Sequence, residues 1–222
     1  MVDAVYKSNR FIADILMGVF VFFILLECIL IGLDIDYIHL LGTIHTMEFN
    51  TLPPEIGKHV DDISSKVTNI LFLSRGIFFI GMIVFLVWIC RANNNLSILN
   101  SKKHSSAWIV ISFFIPIFNL FYPIMLINSI WQSSSTNNTS KPILVTLCWL
   151  FCIIGIIGDI IWFLAGLKGI FIHGEEAVRY FIGLETFFCI MQFSLAISAM
   201  LAIWTVNIIS KEQELMSKRF QA

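Results

Sequence analysis

Four ionisable residues, Glu27, Arg75, Asp159 and Glu185, lie inside long apolar runs of this chain. Charge in hydrocarbon is costly, so such residues point to function before any others do. Three acids face one arginine. Arg75 can neutralise Glu27 across adjacent helices as a charge-assisted pair. The remaining acids must then hold protons, bind a cation or face water. The plainest reading is a buried ion pair that fixes helix register; a cation- or proton-responsive cavity and ligand recognition are the alternatives. Other chemistry is sparse. Cys28, Cys90, Cys148, Cys152 and Cys189 all sit in or at the ends of apolar segments, where a thiol behaves as a small hydrophobe. The spacings of His39, His45, His59 and His173 match no metal motif, which leaves them as solvated loop residues. No nucleophile elbow, phosphate loop, paired-histidine motif or dinucleotide fingerprint occurs. A membrane hydrolase would need a hydroxyl or histidine on the helical face of Asp159, and none is there. No catalytic residue, metal or cofactor is expected, and no enzyme activity.

The elements that must position these charges are membrane helices. Stretches 11–33, 69–90, 143–168 and 180–209 each exceed the ~18–20 residues that cross a bilayer. Apolar residues make up 58% of the 222-residue chain and charged residues 13%, against about 45–50% and 25% for a soluble domain. That length suits one small bundle with short loops. The first stretch is too long for a signal-peptide core and reads as a retained helix. A net charge of −1, with no basic run interleaved with aromatics, argues against nucleic acid.

A fifth stretch, 108–131, is interrupted by Pro116 and Pro123. Each proline removes a backbone donor and crowds the carbonyl one turn back. The stretch is either a kinked fifth span or a broken element that enters and leaves on one side, with Asn119 satisfying freed backbone groups. Five crossings leave Lys and Arg evenly divided between the two sides. Four crossings put Lys7, Arg10, Arg91, Lys102, Lys103, Lys141, Lys211, Lys218 and Arg219 inside, and Lys58, Lys66, Lys168 and Arg179 outside. The positive-inside rule thus favours four spans with both termini cytoplasmic. At ~1.5 Å per residue, Glu27 and Arg75 then lie about 9 Å in from the outer ends of their spans, Glu185 about 8 Å and Asp159 about 13 Å. All four share the external half, which five crossings would not allow.

On this topology 34–68 is an external loop. Pro53-Pro54 opens a short amphipathic helix in it, with Ile56, Val60, Ile63 and Val67 at helical spacing. Residues 91–142 form a cytoplasmic linker, with Ala-Asn-Asn-Asn-Leu and Ser-Lys-Lys-His-Ser-Ser as turns, followed by the broken element. The charged tail 210–222 continues the last helix into water. Asp14 sits near the inner end of the first span, where snorkelling accounts for it. Gly155, Gly158 and Gly166 thin the helix of Asp159, and Ser194 and Ser198 with Ala196 and Ala199 thin the last one. Both helices read as closely packed.

Residues 86–131 carry a recurrent pattern. Leu86, Trp88, Arg91, Ala92, Asn95 and Leu96 are followed by Trp108, then Phe114-Ile-Pro116-Ile-Phe-Asn119-Leu120, Pro123 and Trp131. This resembles the bacterial multi-pass membrane-protein family known as the domain of unknown function DUF4328. That family pairs a Trp…Arg-Ala…Asn-Leu stretch with a Trp…Phe-Val-Pro-Ile-x-Asn-Leu…Pro…Ile-Trp stretch. Ile111, Tyr122, Asn128 and Ser129 depart from it, standing where the family carries a glycine, an arginine and an Arg-Glu pair. The missing charges would have held the post-proline helix at an interface, which keeps the fifth crossing open. The resemblance implies a membrane protein of bacterial type, expected in the inner membrane, and brings no activity with it.

The expected fold is therefore an all-α integral membrane protein: four transmembrane helices plus a proline-broken re-entrant or interfacial element. The expected role is a structural, sensory or partner-anchoring subunit, of the kind found in a bacterial stress or anti-phage system. It would sit in the lipid bilayer, associate with itself and dock a cytosolic protein through Arg91, Lys102, Lys103, the broken element and the tail. The alternative is an ion- or proton-conducting channel or transporter-like protein whose pathway uses the four buried charges.

Overall fold

The computed structural model describes residues 6–47, 53–96, 104–134, 142–169, 171–172 and 174–221. Six helices follow in order: α1 (Arg10–Thr46), α2 (Pro54–Leu96), α3 (Ser106–Phe114), α4 (Pro116–Ser134), α5 (Pro142–Gly169) and α6 (Glu175–Gln221). No strand occurs among the described residues. The four long helices α1, α2, α5 and α6 are apolar enough to cross a membrane. Large apolar side chains also cover their outward faces, among them Phe72, Phe79, Phe163, Ile190 and Phe193. A bundle with greasy faces both inside and out belongs in lipid.

α1 and α2 overrun the segments that hydropathy marks. The external loop read as 34–68 is largely helix, because α1 continues to Thr46 and α2 starts at Pro54. Asp34, Asp36 and His39 end the apolar run without ending the helix. Leu33, Tyr37, Leu40, Leu41 and Ile44 keep the helical spacing that gives α1 a continuing apolar stripe. The amphipathic segment after Pro53-Pro54 is simply the first turns of α2. The Asn93-Asn94-Asn95 run likewise closes α2 rather than forming a turn. Asn93 then clamps the backbone of His104 both ways, donating to its oxygen at 2.7 Å and accepting from its nitrogen at 2.9 Å. The tail is helical to Gln221, but Ser210, Gln213 and Ser217 bury one of its faces instead of leaving it in water.

The chain divides into two compact units. The first comprises Met1–Val21, Phe78–Leu150 and Ser198–Ala222, and the second Phe22–Ile77 and Phe151–Ile197. In the second, Leu30 packs with Ile63 and Val67, and Leu41 and Ile44 with Val178. α5 and α6 approach closely there. A β-carbon at Gly155 would fall 2.3 Å from Leu195 Cγ, and one at Gly158 only 2.1 Å from Met191 Cγ. Gly174, at φ 71°, precedes α6 in the left-handed region that glycine tolerates.

In the first unit the broken element takes form. Ile115 precedes a proline and is pushed out of the helical region, to φ −91° and ψ 113°. α3 therefore stops at nine residues, too short to cross a bilayer, and α4 starts at Pro116. The two fold back on each other: Trp108 meets Phe118 and Tyr122 edge-on, with centroids 5.6 and 6.4 Å apart. Pro123 sits inside α4. Lacking an N–H, it leaves the Asn119 carbonyl without its i+4 donor. Trp149 of α5 supplies the replacement, its indole Nε1 donating to Asn119 O at 2.8 Å. The Asn119 side chain was expected to satisfy freed backbone groups; its Oδ1 is instead buried without a partner. The backbone carbonyl is the group that gets satisfied, and the donor comes from a different helix.

Candidate functional site: two buried polar centres

The intramembrane charges gather in the second unit. Arg75 of α2 lies between two acids from different helices. Its Nη1 donates to Glu27 Oε1 of α1 at 2.6 Å. Its Nη2 and Nε donate to the two carboxylate oxygens of Asp159 of α5, at 2.9 and 2.8 Å. That is the bidentate geometry a planar guanidinium favours. Ser74 Oγ donates to Glu27 Oε1 as well. Glu27 and Ser74 are fully buried, while Arg75 and Asp159 keep about a quarter of their side chains exposed, 24% and 26%. The arginine thus serves Asp159 as well as the single acid assigned to it from sequence, and it ties three helices together.

Glu185 does not join this triad. It is buried at 6% exposure. Trp162 Nε1 approaches its carboxyl but falls short of hydrogen-bond geometry, and both Glu185 Oε2 and Trp162 Nε1 lack a partner. Trp162 stacks instead on Phe188, centroids 4.5 Å apart. Two residues that sequence reasoning passed over stand beside this acid. Asp34 of α1 and Gln192 of α6 are both fully buried, with Gln192 Nε2 donating to Asp34 Oδ2 at 3.0 Å. Asp34 was overlooked because it closes the apolar run. The available signal was spacing: Glu27 and Asp34 are seven apart on one helix, Glu185 and Gln192 seven apart on another, so each pair shares a face.

A second polar centre, uncharged, occupies the first unit. Gln213 of α6 is its hub. Gln213 Oε1 accepts from Asn9 at 3.3 Å and Asn95 at 3.4 Å, and its Nε2 donates to Ala92 O at 3.0 Å and Ser134 Oγ at 3.1 Å. Asn95 also bonds the Lys7 backbone on both sides, at 3.0 and 3.5 Å. Three turns of α2 meet α6 here, since Trp88 Nε1 donates to Ser210 Oγ at 3.0 Å. A connected polar network of this kind fixes which faces may pack, although Asn9 Oδ1 is buried without a partner. Beside it Arg91 Nε and the Tyr6 hydroxyl are buried without partners. Burial and the neighbouring Glu214 charge raise the Tyr6 pKa above the ordinary phenol value. Glu214 itself, paired with Lys218 at 2.9 Å, is held below the usual carboxylate range by that lysine.

The tryptophan, alanine, asparagine and proline residues singled out from sequence now have physical roles. Trp88, Ala92 and Asn95 build the Gln213 centre. Pro116 starts α4, Pro123 frees the carbonyl that Trp149 takes, and Trp131 is buried at 4% exposure. Trp108 edges the α3–α4 hairpin. Elsewhere His39 and His59 share an open cleft with Asp36 and Lys66, and His45 accepts from Arg179 Nε at 3.3 Å. His173, Lys102 and Lys103 lie outside the described residues. No group of three His, Cys, Asp or Glu placed to hold a metal ion occurs among the described residues.

Four long apolar helices, a proline-broken hairpin and buried polar centres define an all-helical, multi-pass membrane protein. A family model for the domain of unknown function DUF4328 matches residues 59–211. The chain belongs to this family. The match begins in α2 and ends just before Gln213, so it covers Arg75, Asp159, Glu185 and Gln192 but leaves out Glu27 and Asp34 of α1, Gln213 and the Lys7–Asn9 contribution. No curated protein and no solved structure matches the chain.

Proposed function

We propose that the protein is a non-enzymatic membrane subunit, structural, sensory or partner-anchoring, that associates with itself or a cytosolic protein. A bacterial stress or anti-phage system would use such a subunit in the inner membrane with both termini in the cytoplasm. The observation that carries this reading is the C-terminal segment of α6. Ser210, Gln213 and Ser217 bury one of its faces in the first unit, while Lys211, Leu215, Lys218 and Arg219 stay exposed on the others. A rigid charged helix held by its inner face is suited to docking. Deleting 210–222 would be a poor test, because it would remove the Gln213 hub as well. Photocrosslinkers at Lys211 and Leu215 in the intact protein avoid this. Crosslinks to a second copy or to one soluble protein, lost on Lys211→Glu/Lys218→Glu, would support the reading. A crosslink-free monomer in native membranes would sink it.

The alternative is an ion or proton pathway, favoured by one observation. Glu27, Asp34, Asp159 and Glu185 outnumber Arg75, whose guanidinium is already engaged by two of them. Proteoliposomes would decide it. Flux above protein-free background that falls in Glu185→Gln would support a pathway, and background flux in the wild type would exclude one.

A further inference from the structure

The Asp34–Gln192 contact leaves a specific imbalance. Gln192 Nε2 bonds Asp34 Oδ2 at 3.0 Å, but the other oxygen of each group, Asp34 Oδ1 and Gln192 Oε1, is buried with no partner. Glu185 Oε2 is a third such atom, two turns before Gln192 on the same face of α6. All three are acceptors, and the unpartnered donor near them, Trp162 Nε1, faces Glu185 rather than Asp34 or Gln192. A buried acceptor without a donor costs about 1–3 kcal/mol, and more when charged. The nearest cation is Arg75, and its Nη1, Nη2 and Nε are engaged by Glu27 and Asp159. The other groups around the locus are Tyr37, Cys189 and Trp162, none of them cationic.

Hard oxygen ligands gathered with excess negative charge are the chemistry that binds a small hard cation. One unpartnered carboxylate oxygen and one unpartnered amide oxygen on two hydrogen-bonded side chains, with a second carboxylate two helical turns away, suit a single positive charge. A divalent ion would want a denser set, and no such set of acids and histidines occurs among the described residues. We propose that Asp34 Oδ1 and Gln192 Oε1 ligate a monovalent cation of sodium size, with Glu185 completing the charge balance. The site is independent of the docking reading of α6. It deepens the pathway reading, yet binding can hold where flux fails, so the two are separable.

The test is melting of the purified full chain in nanodiscs against NaCl, KCl and choline chloride at equal ionic strength. Saturable stabilisation by Na⁺ over choline is expected. Asp34→Asn and Gln192→Met should each weaken the apparent Na⁺ affinity about tenfold or more, as loss of a ligand or its support does. Asp62→Asn, which alters only the exposed pair with Lys66, should leave it unchanged. If Asp34→Asn fails to fold, Gln192→Met and Glu185→Gln carry the same comparison. Equal melting in Na⁺ and choline would overturn the proposal. So would a Na⁺ response that survives Asp34→Asn. Stability that follows pH but ignores Na⁺ would also overturn it, identifying a proton as the occupant.

Discussion

Replacing Trp149 by phenylalanine tests the brace on the broken helix. An aromatic ring still stands where Trp149 meets Phe113 edge-on at 5.8 Å, while the five-membered ring is lost together with the indole N–H that bonds Asn119 O at 2.8 Å. That carbonyl has no helical donor, because position 123 is proline. Stranding a buried carbonyl costs about 1–3 kcal/mol in general, while hydrogen bonds in membrane proteins average about 0.6 and reach about 1.7 kcal/mol. A loss of roughly 1–2 kcal/mol is therefore expected from the hydrogen bond, on top of the packing lost with the smaller ring. The decisive measurement is its dependence on Pro123. In Pro123→Ala the new N–H can bond Asn119 O within α4, so adding Trp149→Phe should then cost about 1–2 kcal/mol less, with only the packing loss remaining. Reversible unfolding in bicelles gives all four corners of the cycle. Equal losses in the two backgrounds would refute the reasoning, since the tryptophan would then be stabilising by packing alone.

Arg75→Met should destabilise by about 3 kcal/mol or more, since it leaves two acids facing each other across the bundle without their cation. Glu27→Gln should cost far less, because Ser74 can still donate and Asp159 keeps the arginine; thermal unfolding compares the two. Gly158→Ala should cost about 1–3 kcal/mol through overpacking, because Met191 Cγ and Cβ lie 2.1 and 2.6 Å from the added carbon. Gly166→Ala, with nothing within 4 Å, should be neutral or gain up to about 1 kcal/mol from helix propensity, as read by the same melting curves. Gln213→Leu strands the Asn9 amide and takes a donor from the Ala92 carbonyl and the Ser134 hydroxyl, so a loss of about 3 kcal/mol or failure to accumulate in the membrane is expected; fluorescence-detected size exclusion reports which. Asn95→Ala should be milder, since the remaining partners of Gln213 stay in place.

The number and nature of the long helices were legible because hydropathy reads burial in lipid directly. Their ends were not. At Asp34 and at Asn93-Asn94-Asn95 polar residues close the apolar run while side-chain stripes and backbone bonding carry the helix onward. The break at Ile115 was legible from Pro116, which acts locally. Its repair by Trp149 was not, because a tertiary donor leaves no mark on the sequence around Asn119. The pairing of Glu27 with Arg75 followed from charge alone. The bidentate hold on Asp159, and the contact of Asp34 with Gln192, depend on how α1, α2, α5 and α6 are rotated. Periodicity constrains such rotations only when both partners are already suspected.

The Trp149 brace also imposes an order on biosynthesis. The α3–α4 hairpin is made before α5, so the Asn119 carbonyl has no donor until Trp149 has been synthesised and has reached the membrane. Glu27 and Arg75 face no such wait, since they can neutralise each other once two helices are in place, and Asp159 later meets a cation already positioned. A nascent chain halted between Ser134 and Trp149 would therefore hold a paired charge and an unpaired hairpin. The insertion machinery, or water, must shelter that hairpin until the next helix arrives.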